Sequence, residues 1–265
     1  MNRPQNNLPL RLTGLVGRER EISEVERLLR NSRLLTLTGP GGSGKTRLAL
    51  AVAWGLVDEY EDGTWLVELA PLSDTELVPQ AVASVHSVRE APGTTLVDAV
   101  RAHLQARETL LVLDNCEHLV EACASLAGAL LRACPDLRVL ATSREAPGVE
   151  GEALFVVPPL SLPDPRRPPA AGGLSEYEAA RLFVERTRAV RPGFEATERD
   201  ALAIAQICHR LDGMPLAIEL GAARARALSV EQISERLEVL RPALGARQAD
   251  HGPPRDAPGD DGLEL

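Results

Sequence analysis

The 265 residues, 44% of them hydrophobic, suffice for one large domain or for a core domain with a smaller companion. A formal charge of -9 argues against direct nucleic-acid binding by this segment, because gripping a phosphate backbone takes clustered cations. No apolar run approaches the roughly 18 residues of a membrane span, the polar stretch Met1–Leu12 is no secretory signal, and Cys116, Cys123, Cys134 and Cys208 lack C-x-x-C or zinc-type spacing, so a reducing cytoplasm without membrane contact is expected.

Residues 1–13 read as an N-terminal segment, and residues 14–160 as an α/β domain in which short apolar runs alternate with helical periodicity. Strands are expected at Leu34–Thr38, Thr64–Leu69, Thr109–Asp114, Arg138–Thr142 and Ala153–Val157. Their leucine-rich and β-branched runs suit strands buried on both faces of a parallel sheet. Helices are expected at Lys45–Val57, Glu76–Val88, Leu96–Ala106 and His118–Ala133, with Thr95 and Asp98 marking a helix start.

Between the first strand and first helix lies Gly39-Pro40-Gly41-Gly42-Ser43-Gly44-Lys45-Thr46, a complete phosphate-binding loop in the right context. Glycines let the backbone curl so that amides face phosphate oxygens, helped by the positive end of the following helix. Lys45 would neutralise the β and γ phosphates, and the Thr46 hydroxyl would ligate Mg²⁺. Of the 29 basic residues only Lys45 is a lysine. A chain that writes arginine everywhere else keeps a compact ammonium where a planar fork does not substitute.

The strand Leu110–Asp114 ends in a carboxylate, as the second element of a magnesium site requires, and Asp114 at its carboxyl end would face the ligand crevice of a parallel sheet. The strand Arg138–Thr142 leads into Arg144, placed to reach a γ phosphate.

Six prolines and two closing glycines make Pro158–Gly173 a linker, most clearly over residues 161–173. A helical domain follows over residues 174–240. Ser175 with Glu178, Thr197 with Asp200 and Ser229 with Gln232 read as helix caps. Ala201, Ile204, Ala205, Cys208 and Leu211 form one apolar stripe, Gly213 ends that helix, and Pro215 opens the next. From Arg241 to Leu265 periodicity is lost, and the tail reads as disordered or out of frame. Asp260–Leu265 can be encoded by codons whose frame, shifted forward by one nucleotide, reads Thr-Met-Asp-Trp-Ser.

Leu15-Val16-Gly17-Arg18-Glu19, the phosphate loop, Leu111–Asn115, Ala141-Thr142-Ser143-Arg144 and Gly213-Met214-Pro215-Leu216-Ala217 together resemble the NB-ARC-like STAND ATPases, and most closely the nucleotide modules of bacterial LuxR-type and AfsR-like transcriptional regulators. The likeness covers about residues 12–240. It implies a three-layer αβα P-loop NTPase, AAA-like in its core, followed by a small ARC1-like helical lid, with ATP or ADP and Mg²⁺ as ligands. It implies that Val16, Gly17 and Arg18 lie beside adenine and ribose, and that Pro215 covers the base from the lid. Gly39, Gly41, Gly42, Ser43, Gly44, Lys45, Thr46 and Arg47 would hold the phosphates. Thr46 and Asp114 would carry the metal, and Lys45, Asp114, Asn115 and Arg144 the reaction, Arg144 as phosphate sensor.

Two departures matter. Many relatives have a second acid where Asn115 stands; an amide orients a water but takes no proton, so slow hydrolysis is expected, with Glu117 as a nearby alternative. The winged-helix, sensor and DNA-binding parts of the longer relatives have no match here. The expected partners are an adenine nucleotide, a second copy of the chain, or other domains of a longer regulator. A P-loop kinase for a small acceptor, or a truncated non-catalytic nucleotide binder, is the competing reading.

Overall fold

The computed structural model describes residues 5–10, 14–90, 92–167 and 169–238; the expected end of the helical domain at residue 240 and the character of the tail lie outside them. In chain order the elements are α1 (Glu19–Asn31), β1 (Leu34–Thr38), α2 (Lys45–Leu56), β2 (Thr64–Glu68), α3 (Val78–Val85), α4 (Leu96–Leu104), β3 (Thr109–Asp114), α5 (Val120–Ala133), β4 (Leu137–Thr142), β5 (Glu152–Val156), α6 (Glu178–Val190), α7 (Glu198–Arg210) and α8 (Pro215–Ala223). Residues 230–238 are helical as well.

The five strands form one sheet in the order β2-β3-β4-β1-β5, with every pairing parallel. Alternate side chains leave it on opposite faces, as the pleat demands. Leu111, Leu113, Val139 and Ala141 join α3, α4 and α5 in one core, while Leu35, Leu37, Leu110 and Val112 join α1 and α2 in another. This is the expected three-layer αβα arrangement. All six β3 residues are buried, which explains an unbroken apolar run instead of an alternating one.

The edge strand β2 is covered by the N-terminal segment. Thr64 N–H donates to Gln5 O at 3.0 Å, and Asn7 makes a reciprocal pair with Leu66, at 2.8 Å to its carbonyl and 2.7 Å from its amide. A covered edge offers no free ladder to another chain.

Several expected boundaries shift for identifiable reasons. The Glu76–Val88 helix opens instead as a 3-10 turn at Thr75–Leu77, with Pro79 in the first turn of α3, and stops before Ser87, whose φ is 54°. The His118–Ala133 helix starts only at Val120, because Asn115 is left-handed (φ 67°) and Cys116–His118 form a 3-10 turn. Helix α1 is absent from the expected elements, although Val25 and Leu29 at helical spacing are fully buried.

The helical domain has its own core around Phe183, Ile204, Ile207 and Ile218, into which Val16 and Leu160 also pack. Thr197 and Asp200 form the expected capping box, and Ser229 and Gln232 bond reciprocally. Ser175 does not cap α6. That end is closed from a distance: Glu178 N–H donates to Ser161 Oγ at 2.9 Å, and Ser161 N–H returns to Glu178 Oε2 at 3.1 Å. Among its described residues the proline-rich segment has no α-helix or strand, though a 3-10 turn begins at Ala171, and Leu160 N–H bonds Gly213 O at 3.0 Å and fixes it to the helical domain.

Candidate nucleotide-binding site

The loop after β1 turns on glycines in the backbone region that residues with side chains rarely adopt: Gly39, Gly42 and Gly44 have φ of 144°, 81° and 93°. Helix α2 then starts with Gly44 as its N-cap, no side-chain acceptor at the cap and no acidic residue in its first turn. Its leading amides and positive dipole end are therefore offered to an anion. Lys45 is buried to 8% exposure, and its Nζ donates to Gly39 O at 2.8 Å and Pro40 O at 3.2 Å. Burial pulls its pKa below the usual lysine value. Among charges, Glu117 opposes that pull most, Arg144 reinforces it, and Asp114 opposes it.

The strand order supplies the second half of the site. Because β4 lies between β1 and β3, the ends Thr142 and Asp114 fall beside the loop. Thr46 Oγ1 and Thr142 Oγ1 each donate to Asp114 Oδ1 at 2.7 Å, and Asn115 N–H donates to Thr142 Oγ1 at 2.9 Å. Thr142 was not among the expected site residues; its signal was the polar run closing an apolar strand.

A cavity of about 410 Å³ opens above these groups. Of the expected residues, Gly41, Gly42, Gly44, Lys45, Thr46, Arg47, Asn115, Arg144 and Pro215 line it, together with Glu117, Thr142, Leu216 and Glu219. Arg144 lies over the loop, its Nη2 3.5 Å from where a Gly41 Cβ would stand, and its Nε pairs with Glu117 Oε1 at 3.2 Å. The helical domain closes the cavity from above. Leu216 N–H donates to Gly42 O at 3.2 Å, Pro215 Cγ is 3.8 Å from a notional Gly44 Cβ, and Glu219 Oε1 receives Arg47 at 2.7 Å and Arg186 at 2.9 Å.

Val16, Gly17 and Arg18 do not line this cavity. Gly17 (φ 73°) and Arg18 (φ 73°) turn the chain beneath α6, where Arg18 N–H donates to Glu178 Oε1 at 2.7 Å. The Arg18 guanidinium, 3% exposed, pairs with Glu21 at 3.0 Å and donates to Ser43 O at 3.3 Å and Pro158 O at 2.6 Å. It ties the entry segment, the phosphate loop and the exit from β5 together. Gly39 and Ser43 shape the loop from behind; Ser43 Oγ is buried without a partner among the described residues.

The donor set fits a small divalent cation with a polyphosphate. The Thr46 hydroxyl, which lines the cavity, and the Asp114 carboxylate, which lies just behind it and accepts from Thr46, are adjacent hard oxygen donors, while Lys45 and the loop glycines Gly41, Gly42 and Gly44 line the anion's side.

Fold and site together define a P-loop NTPase with a helical domain over its phosphate loop. The chain matches the family described as Novel STAND NTPase 1 over residues 14–146 and belongs to it. Uncharacterized protein Rv0894 of Mycobacterium tuberculosis is 40% identical over 245 residues, covering 91% of this chain and 59% of its own length. "Putative HTH-type transcriptional regulator Rv0890c" of the same organism is 43% identical over 211 residues, covering 80% of this chain and 22% of its own length. The chain thus spans less than two thirds of these relatives.

Among solved structures, the Signal Transduction ATPase with Numerous Domains protein with a tetratricopeptide repeat sensor from Pyrococcus horikoshii aligns over 89% of this chain and 34% of its own, with TM-score 0.52 at 15% identity. Drosophila ORC bound to DNA aligns over 91% and 70%, with TM-score 0.53 at 14% identity. These two bear on the fold. Among the described residues, no helix is long and apolar enough to cross a membrane.

Proposed function

We propose that this chain is an adenine-nucleotide switch. It binds ATP or ADP with Mg²⁺ at the phosphate loop, hydrolyses ATP slowly, and converts the state of the nucleotide into the angle between sheet domain and helical lid. The observation that supports this most is the direct seating of the lid on the loop, through Leu216 N–H on Gly42 O and through the Glu219–Arg47 ion pair. A ligand gripped by the loop cannot change its phosphates without changing what the lid rests on, and a differential contact of this kind is what shifts a two-state equilibrium.

In this reading the loop amides and Lys45 hold the β and γ phosphates. Thr46 and Asp114 would hold Mg²⁺, which would supply charge neutralisation to the phosphates. Thr142 fixes the Asp114 carboxylate for that task. Arg144 reports the γ phosphate, Arg47 holds the lid through Glu219, Val16–Arg18 border adenine and ribose, and Pro215 approaches the base from the lid. Asn115 orients a water without taking its proton, which keeps hydrolysis slow.

The longer relatives, one of them named as an HTH-type regulator, support a module within a signalling or transcription-regulating protein. Its partners would then be other domains of that protein or a second copy of the chain, in the cytoplasm, without direct nucleic-acid or membrane contact by this segment. The test is to extract nucleotide from the purified protein and from a Lys45→Ala variant. ADP or ATP near one equivalent in the parent and none in the variant is expected. Equal content in both, or none in either with added Mg-ATP, would defeat the reading.

A further inference from the structure

Asn115, which follows the metal-site aspartate, takes no proton, and Glu117 is the nearby carboxylate. We propose that Glu117 takes the proton from the attacking water, and that its ion pair with Arg144 is the catch that holds it inactive until a γ phosphate draws Arg144 away. This rests on the reading of the cavity as an ATP site.

Three observations carry it. Glu117 lines the cavity beside Lys45, Thr46 and Thr142, so the left-handed Asn115 and the 3-10 turn after it aim the carboxylate inward. Its two oxygens differ: Oε1 receives Arg144 Nε at 3.2 Å, whereas Oε2 is buried with no hydrogen-bond partner among the described residues. A buried, unpartnered carboxylate oxygen is costly to keep and calls for a function. Arg144, in contrast, is 64% exposed and extends over Gly41 at the mouth of the phosphate loop, so it can exchange Glu117 for a phosphate oxygen with little displacement.

The step balances within these groups. The water oxygen bonds to the terminal phosphorus as the bond from that phosphorus to the β–γ bridging oxygen breaks. The water proton passes to Glu117 and from there to the released phosphate, leaving ADP. Asn115 cannot fill this place, because its amide has no basic oxygen; its Nδ2 instead stands 3.4 Å from His118 Nδ1.

The test compares parent, Glu117→Gln and Glu117→Asp in single-turnover cleavage of ATP and in affinity for ADP and for an ATP analogue with a non-cleavable β–γ link. Glu117→Gln is expected to slow cleavage about 100-fold or more, the usual worth of a positioned base. Its analogue affinity relative to ADP should rise about 2- to 5-fold, the scale of one freed, partly exposed ion pair. Glu117→Asp, which keeps the carboxylate but shortens its reach, should fall between the two in cleavage. Cleavage by Glu117→Gln at the parent rate, no cleavage by a parent that binds ATP, or parallel loss of ADP and analogue affinity would each overturn the proposal. Parent affinity for ADP reports separately on the nucleotide site itself.

Discussion

Two buried threonines in neighbouring strands make opposite predictions for one substitution. Thr142, 1% exposed at the end of β4, donates to Asp114 Oδ1 at 2.7 Å and accepts from Asn115 N–H at 2.9 Å. Thr109, fully buried at the start of β3, has a hydroxyl with no partner among the described residues. Valine has nearly the shape of threonine, so Thr→Val changes the hydroxyl and little else. At Thr142 it removes a hydrogen bond to a charged group, worth about 1.5–3 kcal/mol, and strands an amide, for a loss of about 2–4 kcal/mol. At Thr109 it removes a buried polar group that gains nothing, so stability should hold or rise by up to about 1 kcal/mol. At roughly 2–4 °C per kcal/mol for a chain of this size, Thr142→Val should lower the thermal midpoint by about 5–15 °C while Thr109→Val leaves it level or higher. Thermal unfolding followed by circular dichroism reads both. Equal midpoints for the two variants would show that the Asp114 network contributes nothing, and would remove the physical basis assigned to Thr142.

The lid contact gives a second outcome. Glu219 receives Arg47 from the sheet domain and Arg186 from within the lid; only the Arg47 pair crosses between the domains, and with Arg47 45% exposed, screening leaves it at most about 1 kcal/mol. Glu219→Ala should therefore speed release of a fluorescent ADP about 2- to 5-fold in stopped flow; an unchanged release rate would mean that the Arg47–Glu219 pair does not hold the lid. A third outcome concerns pH. Burial, reinforced by His103 and Arg107, pushes the His86 pKa from 6.5 down to about 4. The unfolded chain binds the extra proton first, so this contribution is complete above about pH 6.5 and is lost as pH falls toward 4. The full loss is about 3 kcal/mol. His86→Phe, which keeps a ring against Trp65, should flatten the midpoint between pH 6.5 and 4, and an equally steep decline in the variant would refute the assignment.

Much of this architecture is local and therefore legible in the chain. The central strands β1 and β3 announce themselves because every residue in them is buried, whereas the edge strand β5, with Leu154 and Val156 exposed, shows only as an apolar run; the phosphate loop is legible because its glycines, lone lysine and threonine are contiguous. What stayed hidden is non-local. Nothing in the linear pattern states that β4 inserts between β1 and β3, yet that insertion brings Thr142 to Asp114. The α6 cap comes from Ser161 across the linker, where Ser175 had the better spacing. The chain marks Arg18 as a residue beside adenine and ribose, whereas its structural bonds to Glu21, Ser43 and Pro158 are visible only once three segments meet. Helix α1 lies outside the elements expected from the chain, although Ile22, Val25, Leu28 and Leu29 recur at helical spacing and pack on one core. Glu117 was in view from the start; its direction was what the chain alone withheld.

The most direct measurement is a calorimetric titration of nucleotide-stripped protein with ADP and with ATP in the presence of Mg²⁺, for the parent and for Lys45→Ala. Saturation near one equivalent is expected for the parent, with affinity weaker by about 10- to 100-fold in the variant, the worth of one ammonium–phosphate contact. No heat of binding in a folded parent, or identical isotherms for parent and variant, would contradict the account.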